Sequence, residues 1–313
     1  MNTLQQDASS YLALRRSLGY KLVGHEDILR RFVAFMREKK IRRITVKLAL
    51  EFATRGPDDA PKTRSGRLSV VRKFASYQFA RDPRTAIPPP GLLPSGGRRA
   101  KPYFYSEAEI QRLLDAALKR PALVSLKPWT NYCIFGLLAV TGMRVNEVLN
   151  LQCEDIDWST GMLTIQKSKF GKTRLVPLHP STMKVLANYA TRRKLYLVKR
   201  RCAPAPYFFV TREGRRVHKT CLDRMFWRLS RQIGLRGETD SNGPRMHDFR
   251  HRFAVETLVR WYRNGEDVDQ RMPALSTYLG HGDVTHTYWY LSCTPDLMVA
   301  AGKRLQNRWR GVA

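Results

Sequence analysis

The chain has 313 residues, with 56 Lys and Arg against 26 Asp and Glu and a formal net charge of +30; its isoelectric point is near 10.5. A hydrophobic content of 43% is enough to fill one large core or two smaller ones, which excludes wholesale disorder. The longest apolar runs, such as residues 134–140, fall well short of the roughly 20 residues a membrane span needs, and residues 1–20 lack the continuous apolar stretch of a secretory signal.

In chain order, residues 25–40 place Ile28, Phe32, Phe35 and Met36 at three- and four-residue spacing, with Arg30, Arg31, Arg37 and Lys39 on the other side. That period predicts an amphipathic helix. Residues 44–55 and 62–80 repeat it; in the latter, Leu68, Val71 and Phe74 form the stripe while Arg64, Arg67, Arg72 and Lys73 carry charge. Residues 1–82 are therefore expected to form a small basic helical domain. From 83 to 102 prolines and glycines accumulate with no helical period, which reads as a linker to a second domain over 103–313. There, Ser106 with Glu109 has the form of a capping box and opens a helix through Leu118, followed by an apolar helix over 129–139. The period then changes. Residues 162–167 and 173–178 read as two short strands around 168–172, where Gly171 permits the turn. Helices resume at Ser181, and Leu297 or Met298, Ala301, Leu305 and Trp309 predict a C-terminal helix over 295–310.

The positive charge is spread along the whole chain, net +13 in residues 1–100 and +17 in the remainder. A membrane surface or an acidic protein would satisfy charge alone, but this spread suits a protein that encloses nucleic acid between two basic surfaces and releases counterions from each neutralised phosphate. The five cysteines (Cys133, Cys153, Cys202, Cys221, Cys293) are odd in number and scattered, with no pair spaced as in a zinc or redox motif. They read as core or surface thiols, and a cytoplasmic, reducing compartment is expected.

Three stretches carry side chains able to do chemistry: Thr141-Gly142-Met143-Arg144-Val145-Asn146-Glu147-Val148, His247-Asp248-Phe249-Arg250-His251-Arg252-Phe253-Ala254, and Leu279-Gly280-His281 followed nine positions later by Tyr290. With a hairpin lysine they make a metal-free kit for attacking a phosphodiester. Arginines present planar, permanently charged forks to phosphate oxygens. Histidines and a lysine can move protons, and a tyrosine oxygen can form a covalent intermediate. Taken singly each has a plainer reading: an isolated helical Arg is usually a surface charge, and Tyr288-Trp289-Tyr290 could be ordinary aromatic core.

In this order the residues resemble the tyrosine recombinase (integrase) family. Its series Arg, Lys, His-x-x-Arg, His or Trp, Tyr stands here as Arg144, Lys169, His247 with Arg250, His281 and Tyr290, and the flanks Thr-Gly-Met-Arg-Val-Asn-Glu, Arg174-Leu175-Val176-Pro177-Leu178 and Leu-Gly-His match as well. Within that resemblance, counting back five positions from Arg174 selects Lys169 over Lys167 and Lys172, and the offset from His281 favours Tyr290 over Tyr288; His251 is left as a packed histidine. The match covers 103–313 directly. Residues 1–82 resemble the family's core-binding domain in size, composition and position.

The resemblance implies a mainly α fold with a small β-sheet or hairpin in the catalytic domain, the two domains forming a C-shaped clamp on duplex DNA. It implies a site-specific recombinase or integrase in which Tyr290 attacks the scissile phosphate, leaving a 3′-phosphotyrosyl bond and a free 5′-hydroxyl. Arg144 and Arg250 would clamp the non-bridging oxygens, Lys169 would protonate the leaving oxygen, His247 would assist proton transfer at the nucleophile, His281 would bond the phosphate, and Glu147 would orient the site. Neither metal nor cofactor is implied. Arg64, Arg67, Lys73 and Lys172 are expected to touch DNA. The expected assembly is a homo-tetramer on two specific recombination sites, working through a Holliday junction at the nucleoid, with other recombinases or accessory proteins as further partners and the terminal helix packed into a neighbouring protomer. The 30 residues between Arg250 and His281 exceed those of many family members and point to a mobile-element subgroup.

Three alternatives remain. A type IB topoisomerase would use the same chemistry as a monomer, but the short N-terminal domain and terminal helix argue against it. A catalytically decayed DNA-binding protein would not keep all six side chains. A metal-dependent transposase of the DDE type would need a carboxylate set, and Asp155, Asp157, Asp267 and Asp269 form no recognisable one.

Overall fold

The computed structural model describes residues 3–20, 22–56, 58–94, 102–119, 125–166, 173–203, 205–240, 243–292, 297–299, 302–303 and 306. It divides into two compact units, Met1–Ala100 and Lys101–Ala313. No described helix is long and apolar enough to cross a membrane.

The first unit contains α1 (Leu4–Ser17), α2 (Val23–Glu38), α3 (Val46–Ala53) and α4 (Pro61–Phe79). Phe32, Phe35 and Met36 of α2 and Leu68, Val71 and Phe74 of α4, the stripes read from periodicity, are all buried. Phe52 of α3 closes the centre, its ring 5.1 Å from Phe32 and 5.8 Å from Phe35. Local chemistry sets the helix starts. Thr45 accepts the Leu48 N–H at 3.2 Å, and Pro61 opens α4 where a backbone N–H would lack a helical partner anyway. Helix α1, which periodicity did not single out, buries only Ala8, Tyr11 and Leu12, too narrow a stripe to stand out among polar residues.

The Pro-rich segment after α4 first runs back over this unit. The Ala86 N–H donates to the Ile44 carbonyl at 3.0 Å, and Arg72 donates from Nε to the Pro88 carbonyl at 2.7 Å and from Nη2 to that of Pro89 at 2.9 Å. Thr85 is buried and Leu93 packs on the helical core.

The second unit runs α5 (Glu107–Leu118), α6 (Lys127–Thr141), α7 (Val145–Asn150), β1 (Ile156–Asp157), β2 (Met162–Ile165), β3 (Arg174–Pro177), α8 (Pro180–Lys199), α9 (Lys219–Gln232), α10 (Met246–Arg263), α11 (Val268–Leu279) and α12 (Thr285–Tyr288). The expected capping box opens α5: Ser106 Oγ accepts the Glu109 N–H at 3.2 Å while the Glu109 carboxylate takes the Ser106 N–H at 2.7 Å. The two predicted strands pair antiparallel with Leu163 opposite Val176, and β1 adds a third strand beyond β2. At two residues, β1 is too short for alternation to reveal. Helix α6, apolar on most faces, is buried through Ile134, Phe135 and Leu138 at the centre of one cluster. A second cluster gathers Ala254, Leu258, Met272, Leu275, Tyr290 and Leu297 around α10 to α12. Leu297 is thus buried in this chain's own core, while most of the predicted 295–310 helix lies outside the described residues.

Candidate active site

Two helix C-termini and two helix N-termini converge in the second unit. Helix α6 ends at Gly142 (φ +61°) and α11 at Gly280 (φ +67°), both left-handed caps. Glycine takes that conformation without strain, and here it also leaves room: an added Cβ at Gly142 would stand 2.8 Å from Phe253, and one at Gly280 3.0 Å from Arg174 Nη1 and 3.3 Å from Arg144 Nη1. The end of a helix exposes unpaired carbonyls and the negative end of its dipole, a natural seat for cations. Three arginines occupy these seats. Arg174 donates from Nε to the Tyr278 carbonyl at 2.7 Å, Arg250 from Nη2 to that of Leu279 at 2.5 Å, and Arg144 from Nη2 to that of Gly280 at 2.8 Å. Arg250 also reaches the end of α6, donating from Nη1 to the Gly142 carbonyl at 2.9 Å.

Arg144 stands just ahead of a helix rather than within one. It is the N-cap of α7 in extended geometry, and Glu147 reaches back to it, accepting the Arg144 N–H at 2.9 Å and Arg144 Nη1 at 2.8 Å. The same carboxylate accepts Arg174 Nη1 at 3.1 Å and Nη2 at 2.7 Å. Burial pushes the Glu147 pKa up, but the hydrogen bonds and charge of Arg174, then Arg144, outweigh it and hold the carboxyl below its ordinary range. Helix α10 begins in a related way: the Asp248 carboxylate accepts the Arg245 N–H at 2.8 Å and Arg245 Nη2 at 2.9 Å, and Tyr105 donates its hydroxyl to the Arg245 carbonyl at 3.0 Å. This fixes the turn that carries His247 and Arg250.

Burial first, and then the like charge of Arg144, lowers the Arg250 pKa to about 10, so it stays cationic at neutral pH. His247 has substantial exposed surface, yet its ring is crowded by protein and stands 4.7 Å from that of His251. Partial burial, followed by the charge of Arg250, brings its pKa down to about 4. His281 shares Nδ1 with the Thr287 hydroxyl at 2.7 Å, and burial followed by the charges of Arg250 and Arg144 lowers its pKa to about 3. Both imidazoles are neutral at pH 7. Tyr290 is 2% exposed in the short turn Trp289–Ser292. Its ring lies nearly parallel to His281 at 6.2 Å and 5.5 Å from His251. Tyr288, the rival, is 43% exposed.

Arg144, Glu147, His247, Arg250, His281 and Tyr290 thus come together, while Lys169 and Lys172 lie outside the described residues. In the first unit Lys73 is exposed, but Arg67 is paired with Asp59 at 2.5 Å and Arg64 donates to the Gly56 carbonyl at 3.2 Å. Both guanidiniums are engaged within the protein. Three of the four aspartates weighed as transposase ligands are engaged within the protein: Asp155 accepts from Gln152 and Gln166, Asp157 from Ser159 and Thr160, and Asp267 from the Asp269 and Gln270 N–H groups. No metal-holding group of His, Cys, Asp and Glu exists among the described residues. Arg174, which the sequence offered only as a flanking match, proves to be part of the site. The available signal was an arginine opening the apolar run Leu175-Val176-Pro177. Thr287 carried no signal, because its partner is set by the bend after α11.

The sequence pattern of the phage integrase family matches residues 104–295. The integrase/recombinase y4rB of Sinorhizobium fredii is 48% identical over 312 residues, 99% of each chain. A tyrosine recombinase of Pseudothermotoga lettingae is 25% identical over 298 residues, 93% of this chain and 94% of that one. Among solved structures the fold is shared with the Tn1549 transposon integrase in complex with transposon right end DNA, with a TM-score of 0.69 at 16% identity over 97% of this chain and 100% of that one. It is shared also with a lambda integrase dimer bound to a core site, with a TM-score of 0.59 at 20% identity over 92% and 77%.

Proposed function

Since the chain belongs to the phage integrase family, we propose that Arg144, Lys169, His247, Arg250, His281 and Tyr290 are the machinery with which this site-specific recombinase cuts and rejoins DNA. The substrate is double-stranded DNA carrying specific recombination sites; of the integrases that share the fold, one is in complex with transposon right end DNA and one is bound to a core site. Tyr290 Oη forms a bond to phosphorus as the bond from phosphorus to the 5′-oxygen breaks. The tyrosyl proton passes to His247, and Lys169 gives a proton to the departing 5′-oxygen, which leaves as the 5′-hydroxyl. Energy is retained in the 3′-phosphotyrosyl ester, so rejoining is the reverse attack by a 5′-hydroxyl. Charge growing on the non-bridging oxygens is met by Arg144 and Arg250, guanidiniums already oriented before substrate arrives. Neutral histidines suit both roles: His247 can accept a proton, and His281 can present Nε2 to the phosphate while Thr287 holds Nδ1.

One observation carries this reading: two arginines 106 positions apart in sequence are anchored on adjacent carbonyls of one helix end, beside His281 and near Tyr290. Because Tyr290 is nearly enclosed, engagement of DNA has to bring its hydroxyl out, and the Trp289–Ser292 turn is where that movement occurs. Four protomers on two sites, exchanging strands through a Holliday junction, complete the cycle. Lys73 and Lys172 contact the DNA backbone, and Arg64 and Arg67 do so only by exchanging Gly56 and Asp59 for phosphate.

The test starts from nicked duplexes selected out of a random-sequence pool by covalent capture on the wild-type protein in EDTA. Tyr290→Phe is expected to abolish the adduct and Tyr288→Phe to leave it. An adduct that persists in Tyr290→Phe overturns the nucleophile, and strict dependence on added metal overturns the mechanism. Exchange between two selected sites on one plasmid separates a recombinase from a topoisomerase.

A further inference from the structure

Arg174 is the least exposed cation of the cluster apart from Arg250, with 7% of its side chain accessible against 25% for Arg144. Its guanidinium faces protein on two sides. Nη1 and Nη2 clasp the two oxygens of Glu147 at 3.1 and 2.7 Å, and Nε donates to the Tyr278 carbonyl at 2.7 Å. Arg144 makes the same span one step nearer solvent, from Glu147 Oε1 to the Gly280 carbonyl. Glu147 is thereby saturated, each oxygen accepting from both arginines. The two arginines act as parallel struts between the start of α7 and the end of α11, the inner one the less accessible to solvent.

Resting on the proposed function, we infer that Arg174 is a positioning residue: through Glu147 and the Tyr278 carbonyl it holds the Arg144 guanidinium and the His281 segment in the geometry that receives the scissile phosphate. Two physical arguments support it. Within a lone Glu147–Arg144 pair the guanidinium, 25% accessible, would hang on the carboxylate by one hydrogen bond, since the other runs to the Arg144 N–H, and side-chain entropy would disperse it by rotation about that contact. The fork from Arg174 occupies both carboxylate oxygens in plane and removes that rotation. In addition, three like charges crowd one helix end. One carboxylate and three carbonyl dipoles offset them only in part, which leaves a net positive site whose remaining partner is the phosphate. Arg174 begins β3 five positions after Lys169, so the same ties set where the strand that follows the lysine starts.

A lysine could satisfy Glu147 or Tyr278 but not both with planar geometry. On the selected nicked duplex, Arg174→Met is expected to slow single-turnover cleavage about 10- to 100-fold, the range typical for losing a group that orients a first-line residue, with DNA affinity unchanged within about threefold. Arg174→Lys should recover part of the rate. The double variant Arg174→Met/Glu147→Gln removes both buried charges together and is expected to cleave no more slowly than the worse single variant, because the two side chains act as one unit. In DNA-free protein, nitrogen-15 spectra of the arginine side chains should show the Arg144 Nη signals distinct in the wild type and averaged in Arg174→Met. Unchanged Arg144 signals, wild-type cleavage by Arg174→Met, or multiplicative losses in the double variant overturn the inference. An affinity loss as large as the rate loss also overturns it, by making Arg174 a phosphate ligand. If Tyr290→Phe still forms the adduct, the proposed function fails while the spectra still report on the strut.

Discussion

At the scale of single residues, the site's protonation state follows from burial first and then from the crowding of cations. His247 and His281 titrate near 4 and 3 when folded, against an ordinary 6.5. The unfolded chain therefore binds protons that the native site refuses, and stability rises with pH across that interval. The contribution is complete above pH 6.5 and is lost as pH falls from there toward about 4 for His247 and about 3 for His281. Replacing His281 with Gln should flatten this acid limb in urea-unfolding curves measured between pH 4 and 6.5; an unaltered slope contradicts the assignment. Since the charges of Arg250 and Arg144 help to depress both values, a phosphate that offsets them should raise the affinity of these rings for protons. Calorimetry of DNA binding at about pH 6 in buffers of different ionisation enthalpy is expected to register net proton uptake.

At the scale of elements, the arginines are seated by the way helices stop. Gly142 and Gly280 each end a helix at positive φ and present a carbonyl to a guanidinium. Gly142→Ala adds backbone strain and also a Cβ 2.8 Å from Phe253, whereas Gly265, at φ +70°, has nothing within 4 Å of an added Cβ. Gly265→Ala should cost about 1 kcal/mol, the strain alone. Gly142→Ala should cost distinctly more and should slow cleavage as well, because Arg250 loses its Gly142 seat. Equal urea midpoints for the two variants would show that Phe253 yields without cost. The helical stripes were legible beforehand for a related reason: Phe32, Phe35, Met36, Leu68, Val71 and Phe74 meet neighbours on a continuous apolar face, and period alone reports that. Helix α1 and strand β1 escaped because three buried residues in fourteen, or a strand of two, leave no period to read.

At the scale of the whole molecule, the charge of +30 belongs to two units with separate hydrophobic cores. The first unit buries its stripes without help and receives the Pro-rich segment through Ala86 and Arg72, so a fragment of residues 1–94 is expected to unfold cooperatively by circular dichroism. A non-cooperative melt would mean that its stability depends on the second unit. Each phosphate neutralised should add about −0.9 to the slope of log affinity against log salt, and selected and random duplexes should give similar slopes, since phosphate contacts hold while base contacts specify. Divergent slopes would mean that the charge itself participates in site choice.

The sequence by itself determined the chemistry available: an ordered series of arginines, histidines and a tyrosine, the change from helical to strand period at the hairpin, and a basic surface able to hold a polyanion. These are local or compositional properties, carried by residue type and spacing along one segment. What only the tertiary structure decided is which groups share a carboxylate or a helix end. Arg144 finds Gly280 across 136 positions and Arg174 finds Tyr278 across 104, because packing brings the end of α11 to the start of α7. No periodicity encodes such a meeting, so Arg174 passed for a flanking match until the fold placed its guanidinium behind Arg144.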